Sequence, residues 1–546
     1  MAQDSSATLL RFNRQRHEII DEVVERVTRG SISRAWMDPS HGLDYLLNEA
    51  AFMELSRLEE SPGNRPPPEL AFWRDVAHRA GRASEEENAE KLQTIVTRYT
   101  RDIAGHFRAG VYEFATRVLP TGISLVFSKQ SPADWLSLQS RFDALRRKVN
   151  IEGEVGKLRQ LAKVRTVMFV PNHTSHIDSM LMGWALNECG LPPVTYGAEK
   201  NLFNNILTSF FMQNLGAYKV DRRRRHTIYK SVLKEYSQVL IERGFHSLFF
   251  PGGTRSRSGQ IESHLKLGLL GTGLAAYSAN VRSSRAQSGV VIVPVNISYS
   301  LVLEAQTLIS EFLKPPGQAR YIIDDDEFSS PGRVMNYLTA MMELDHPVTV
   351  RFGTPMDVFG NRVDLDGESM DQQGRRVDPS RYLWINGVPE VDRDRDREYT
   401  RQLGASVSDA FRTGNVVHPI HILAFALFEH LRRQHRSWDL ERTLRFASGD
   451  TISLAVAEGE TERLLRIVRR MADEALLRLN RPARSLSARA MIDEGMRQFG
   501  LFHHHRIAEA ENGQIRLLNL PLLYYYSNQL RGYELERRLM SPGGYR

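Results

Sequence analysis

The sequence predicts an α/β unit, a mixed and mostly parallel sheet covered by helices, set between a helical N-terminal region and a helical C-terminal region. Three observations predict it. Short β-rich runs recur after Arg165: "TVMFV" (Thr166 to Val170), "HSLFF" (His246 to Phe250), "GVVIVPVNISY" (Gly289 to Tyr299) and "VTVRFG" (Val348 to Gly353). Stretches of helical period such as "TIYKSVLKEYSQVLIERG" (Thr227 to Gly244) lie between them. Apolar strands alternating with helices imply a mostly buried sheet covered by helices.

Residues 1–150 read as helical. Leu43, Leu46, Leu47, Ala50 and Ala51 recur at helical spacing, and so do Leu92, Ile95, Val96, Tyr99, Ile103 and Phe107. "SPGNRPPPE" (Ser61 to Glu69) interrupts them and predicts a loop. Residues 151–358 hold the α/β unit. Residues 359–399 are polar, with turn signals at Asp366-Gly367 and Gly374, and predict an exposed excursion or hairpin. Helical pattern returns over 400–546, where the final "SPGGYR" should fray. "HHHR" (His503 to Arg506) resembles a metal tract, but consecutive histidines on a helix point in different directions.

A chain of 546 residues exceeds what one hydrophobic core usually serves, so more than one domain is expected. With 41% hydrophobic and 25% charged residues, wholesale disorder is excluded. The lone cysteine, Cys189, rules out an internal disulfide framework and cysteine-based zinc sites, and fits a reducing compartment. A net charge of +7 and a pI near 9.3 suit anionic partners such as phospholipid head groups or phosphorylated small molecules. Nucleic acid is not expected, because no recognised motif or basic stripe interleaved with aromatics is present. No run approaches the roughly eighteen apolar residues of a spanning helix. The most lipid-like segment, "HILAFALFEHL" (His421 to Leu431), is shorter and carries Glu429 and His430. The N-terminus lacks a signal peptide's apolar core, so a cytosolic or peripheral location is expected.

The chemistry concentrates in "VPNHTSHIDSM" (Val170 to Met180), directly after the first β-rich run. Loops at the carboxyl ends of strands are where α/β sheets place their reactive groups. Pro171 ends the strand, and "MLMGWAL" starts a helix with Thr174 or Ser175 as candidate N-cap. His173 and Asp178 meet only if the histidine lies in the loop and the aspartate in the helix's first turn. The carboxylate would then fix the imidazole tautomer and leave the other ring nitrogen to take a proton from a hydroxyl. The rival is a metal site using His173, His176 and Asp178. The later strand-end loops, however, offer arginine, glycine and serine rather than further ligands, so no metal and no cofactor are expected.

The second such loop is "FFPGGTRSRSG" (Phe249 to Gly259). Its glycines admit a ligand close to the backbone, and Arg255 and Arg257 alternate so that both can reach one anion. A third basic segment, "GAYKVDRRRRHT" (Gly216 to Thr227), is either a solvated charge run or an anion site.

In this order, the blocks resemble the glycerolipid acyltransferases of the His-x4-Asp type, on the glycerol-3-phosphate acyltransferase branch. "NHTSHIDS" carries His-x4-Asp, "GAYKVDR" resembles the second signature, "GGTRSRSG" the third and "VPVNISYSLVLE" (Val293 to Glu304) the fourth. "NVVHPIHILAFALF" and "YYYSNQL" resemble the C-terminal region of long-chain members. The resemblance implies transfer of a fatty acyl group from acyl-CoA or acyl carrier protein to the sn-1 hydroxyl of glycerol 3-phosphate, in phospholipid biosynthesis. It implies His173 as general base, Asp178 as its orienter, and Arg222, Arg255 and Arg257 as phosphate ligands. Gly252, Gly253 and Pro294 would shape the loops or the acyl-donor path. It also implies a peripheral location at an anionic phospholipid surface on the cytoplasmic face, with Ile420 to Leu431 a docking candidate or else a core helix. Two departures fall in the acceptor region: Gly252 stands where many members carry glutamate, and Asp221 replaces the first of two arginines. Dihydroxyacetone phosphate or a lysophospholipid is the alternative acceptor, and an idle lipid-binding relative the alternative class.

Overall fold

Seven strands form the central sheet: β1 (Val149–Glu152), β2 (Thr166–Pro171), β3 (Thr195–Glu199), β4 (Ala217–Val220), β5 (Ser247–Leu248), β6 (Val290–Tyr299) and β7 (Val348–Phe352). Their order is β1-β7-β6-β2-β5-β3-β4, parallel throughout except for the antiparallel β6–β7 pair. The structure is a computed structural model that describes residues 6–60, 67–112, 146–200, 214–285, 289–315, 317–318, 327–345 and 347–540. The mixed, mostly parallel α/β class is therefore as expected. The final "SPGGYR" and most of the "SPGNRPPPE" loop lie outside the described residues, although Pro67 already opens a helix.

Burial alternates along β2. Val167 and Phe169 enter one core with Val291, Val293, Val295 and Ile297 of β6, while Met168 and Val170 enter another with Val290 and Ile292. A strand apolar at every position is thus satisfied on both faces. Pro294 sits inside β6, where its carbonyl accepts from Gly353 at 2.8 Å and its ring nitrogen, lacking a proton, returns nothing. The ladder bond lost there is confined to the point where β7 has ended.

Among the described residues, four α-helices precede the sheet: α1 (Ser6–Met37), α2 (Leu43–Glu59), α3 (Pro67–Arg79) and α4 (Glu85–Ile103). Ser84 and Glu87 close a capping box at the start of α4. These helices share one core with Tyr218 of β4 and with Tyr229, Val232, Tyr236 and Val239 of the helix Thr227–Glu242. They pack against the sheet's β4 side.

The polar excursion forms three short antiparallel strands at Arg362–Val363, Ser369–Met370 and Arg376–Val377, followed by a hairpin of Trp384–Ile385 with Val388–Pro389. The C-terminal region is mostly helical. Its helix Pro419–Gln434 is buried at twelve positions, Glu429 included, and Phe425, Phe428 and Leu431 are fully enclosed. Burial of each large apolar side chain contributes about 1.5–3 kcal/mol. Of the two readings of Ile420 to Leu431, docking candidate or core helix, the segment is the core helix, with Glu429 ion-paired to Arg531 at 2.7 Å. Among the described residues no helix is long and apolar enough to cross a membrane.

Candidate active site

Strand β2 delivers its chain to the carboxyl edge of the sheet, and Asn172 anchors the loop beyond it. The backbone N–H of Asn172 donates to the Val295 carbonyl at 3.1 Å, and its amide exchanges hydrogen bonds with the backbone of Ile297. His173 comes next in the loop, and Asp178 is the first residue of the helix Asp178–Glu188. This is the placement that lets the pair meet.

His173 Nδ1 lies 2.8 Å from Asp178 Oδ2. The same oxygen accepts the backbone N–H groups of Thr174 at 2.7 Å and Ser175 at 2.9 Å. Asp178 Oδ1 accepts the Tyr299 hydroxyl at 2.6 Å. Four donors on a fully buried carboxylate hold it in one orientation, and that saturation suits an orienting group rather than a metal ligand. The candidate N-caps are corrected. No side chain caps this helix, because the Asp178 carboxylate itself takes the loop N–H groups and Ser175 Oγ donates to Glu304 at 2.8 Å.

The His173 ring stacks on Phe250, with centroids 4.3 Å apart. Burial lowers its pKa below the usual histidine value, although Asp178 pulls the other way. The imidazole is therefore neutral at pH 7, with Nδ1 committed to Asp178 and Nε2 left as the proton acceptor. Tyr299, pushed well above the ordinary tyrosine value by burial and by Asp178, stays protonated and donating. His176 turns away, its ring against Phe328 at 5.3 Å.

The glycine-rich loop after β5 lies beside this corner, because β5 is the neighbour of β2. Ser256 N–H donates to the His173 carbonyl at 2.8 Å. From the far end of the chain, Asn528 and Gln529 of "YYYSNQL" donate to the carbonyls of Ser258 and Gly259 at 2.7 and 2.8 Å. Gly253 has a φ of +72°, and a Cβ there would meet the Lys266 side chain at 2.5 Å, so only glycine fits.

The arginines are placed differently from one another. Arg255 is buried, its Nη1 3.4 Å from Glu304 Oε1. That carboxylate also accepts the His176 N–H at 3.0 Å and is itself fully buried. Arg257 is half-buried. Arg222 follows β4 and pairs with Glu199 at 3.2 Å. It stands three strand spacings from β2, about 14 Å away. Asp221 pairs with Lys200 at 3.1 Å. The basic run is no solvated stripe at Arg224, which is half-buried, donates to Asp102 at 3.0 Å and lies over the Tyr99 ring at 4.8 Å. His503, first of the histidine tract, is buried against the Tyr526 hydroxyl at 2.8 Å.

Sequence reasoning reached His173 and Asp178 but not Tyr299, Phe250, Glu262 or Glu304 as site residues. Tyr299 and Glu304 lay inside the fourth block without any local sign of their partners.

Residues 152–298 match the family model for acyltransferases, and the sheet with its strand-end dyad falls largely inside that segment. A glycerol-3-phosphate acyltransferase of Pseudomonas fluorescens strain SBW25 is 30% identical over 285 residues, covering 52% of this chain and 30% of that protein. One of Pseudomonas paraeruginosa strain PA7 is 27% identical over 354 residues, covering 64% and 36%. The chain spans about a third of the length of these curated relatives. A crystal structure titled as the 1-acyl-sn-glycerophosphate acyltransferase PlsC of Thermotoga maritima is 14% identical and covers 58% of this chain and 94% of that one. Its TM-score of 0.25 is too low to compare the two folds. Fold and match together define an acyltransferase domain. Within that class, the chain is similar to glycerol-3-phosphate acyltransferases over about half to two thirds of its own length.

Proposed function

We propose that this chain transfers a fatty acyl group from acyl-CoA or acyl carrier protein to the sn-1 hydroxyl of glycerol 3-phosphate, giving lysophosphatidate. The observation that carries the reading is the 2.8 Å contact of His173 Nδ1 with a buried carboxylate saturated by donors. A module that only bound lipid would gain nothing from a neutral imidazole oriented in this way. His173 Nε2 removes the hydroxyl proton as the oxygen attacks the thioester carbonyl. The tetrahedral intermediate then expels the thiolate, which takes the proton back from the imidazolium. The ester forms, the C–S bond breaks and the thiol leaves. Arg222, Arg255 and Arg257 supply the positive surroundings of the acceptor phosphate, Arg255 while paired with Glu304. The basic charge also supports docking at an anionic phospholipid surface on the cytoplasmic face.

The test is release of free thiol from acyl-CoA by the purified chain, with glycerol 3-phosphate, dihydroxyacetone phosphate and a lysophospholipid offered separately. Glycerol 3-phosphate is expected to support the fastest release, undiminished after dialysis against a strong chelator. Faster release with either other acceptor would replace the substrate, and loss on chelation would replace the chemistry.

A further inference from the structure

The dyad chemistry leaves one carboxyl group at the site unused. Glu262 lies shortly before the helix Leu267–Arg282, and its side chain folds back beneath the glycine-rich loop. Its Oε1 accepts the backbone N–H of His173 at 2.9 Å. Its Oε2 is enclosed and completes no hydrogen bond among the described residues. A Cβ built on Gly252 would meet Glu262 Cδ, Oε1 and Oε2, each at 2.6 Å. The carboxyl group thus occupies the space that any side chain at position 252 would need.

We propose that Glu262 is the acceptor-binding carboxyl group of this site, delivered from ten residues downstream into the space that Gly252 leaves open, where Oε2 engages a hydroxyl or phosphate oxygen of a polyol phosphate beside His173. The proposal rests on the acyl-transfer reading above and adds a residue to it. Burial pushes the Glu262 pKa up to about 8, against the pull of the His173 and Gly252 backbone N–H groups and with Asp178 adding to the rise. At neutral pH the group is therefore mostly protonated. Oε1 accepts from His173, which leaves Oε2, without a hydrogen-bond partner among the described residues, to carry the proton. A neutral carboxylic acid placed there donates to an anionic or hydroxylic acceptor without adding negative charge near a phosphate. The space left open at Gly252 and the unpartnered oxygen of Glu262 then have a single explanation.

The experiment relocates the carboxyl group. Glu262→Gly and Gly252→Glu are made singly and together, alongside the shape-conserving Glu262→Gln. Steady-state kinetics vary glycerol 3-phosphate and acyl-CoA separately, and thermal unfolding is followed on every variant. Glu262→Gly should lower kcat/KM for the acceptor by about 10-fold or more while leaving KM for acyl-CoA unchanged. Glu262→Gln, which keeps an acceptor and a donor in place, should recover part of that loss. Gly252→Glu alone should lower Tm, because two carboxyl groups compete for one space. The double variant should exceed both singles in acceptor kcat/KM and regain the Tm lost by Gly252→Glu. A double variant no better than either single overturns the shared-space assignment. Equal losses toward both substrates in Glu262→Gly, or a fall in Tm with kinetics unchanged, reduce Glu262 to a structural plug. An inactive wild-type chain would remove the acyl-transfer reading and the acceptor role with it, while the Tm series would still report on the shared space.

Discussion

The dyad corner and the basic loops sit side by side on the same edge of one sheet, yet they are built on opposite principles. At the dyad, nearly every contact is short and local: Asp178 takes donors from residues 173, 174 and 175, with Tyr299 added from β6. At the basic loops, the cations are held by carboxylates from remote parts of the chain. Arg255 faces Glu304, Arg222 faces Glu199, and Arg224 faces Asp102 and Glu54. The difference teaches that a catalytic pair can be written into six consecutive residues, whereas an anion site depends on which carboxylates the fold brings near. Substitutions should therefore separate the two regions: dyad variants lose turnover with the fold intact, and buried-arginine variants lose both.

The largest effect expected away from His173 itself is at its partner. Asp178→Asn should reduce kcat by roughly 10²–10⁴-fold, because the amide offers an N–H where the imidazole needs an acceptor and so favours the wrong tautomer. A reduction below 10-fold would break the contrast, since the carboxylate would then not govern the ring.

Arg257→Ala should lower acceptor kcat/KM by about 10–150-fold. Arg255→Ala should instead leave Glu304 buried without that ion-pair partner, and breaking such a pair costs about 3–5 kcal/mol. A larger fall in Tm for the buried Arg255→Ala than for the half-buried Arg257→Ala sharpens the comparison. Equal Tm values with equal kinetic losses would make the two arginines equivalent.

Much of this was legible in the sequence, for physical reasons. Strands β2 and β6 were found because strands covered on both faces are apolar along most of their length, and β7 because Val348, Val350 and Phe352 mark a β-rich run. β1, β3 and β4 were missed. "VNIE", "TYGAE" and "AYKV" are four or five residues long and mix polar with apolar positions, so their pairing is set by neighbours rather than by pattern. The dyad was legible because loop and first helical turn are contiguous. Tyr299, 121 residues from Asp178, and Glu262, 89 residues from His173, were not, because only the folded sheet brings them together.

A smaller effect is expected one step behind the dyad. Tyr299→Phe removes a donor from Asp178 Oδ1 and should reduce kcat about 10-fold, with little change in either KM. A shift in acceptor KM alone would move Tyr299 from the dyad to the acceptor side of the comparison.

The smallest effect is a displacement along the pH axis. The active imidazole is the neutral form, and burial lowers its pKa, so activity should persist as pH falls through about 6.5 and be lost only below it. An acid limb of kcat/KM centred at or above 6.5 would show that Asp178 outweighs burial.

The central claim, that His173 is the base of an acyl transfer, is tested most directly by glycerol-3-phosphate-dependent thiol release from acyl-CoA by the wild-type chain and by His173→Ala at matched Tm. Acceptor-dependent release in the wild type, reduced by roughly 10²–10⁴-fold in the variant, is the predicted result. Retention of more than about a tenth of wild-type kcat in His173→Ala would contradict it.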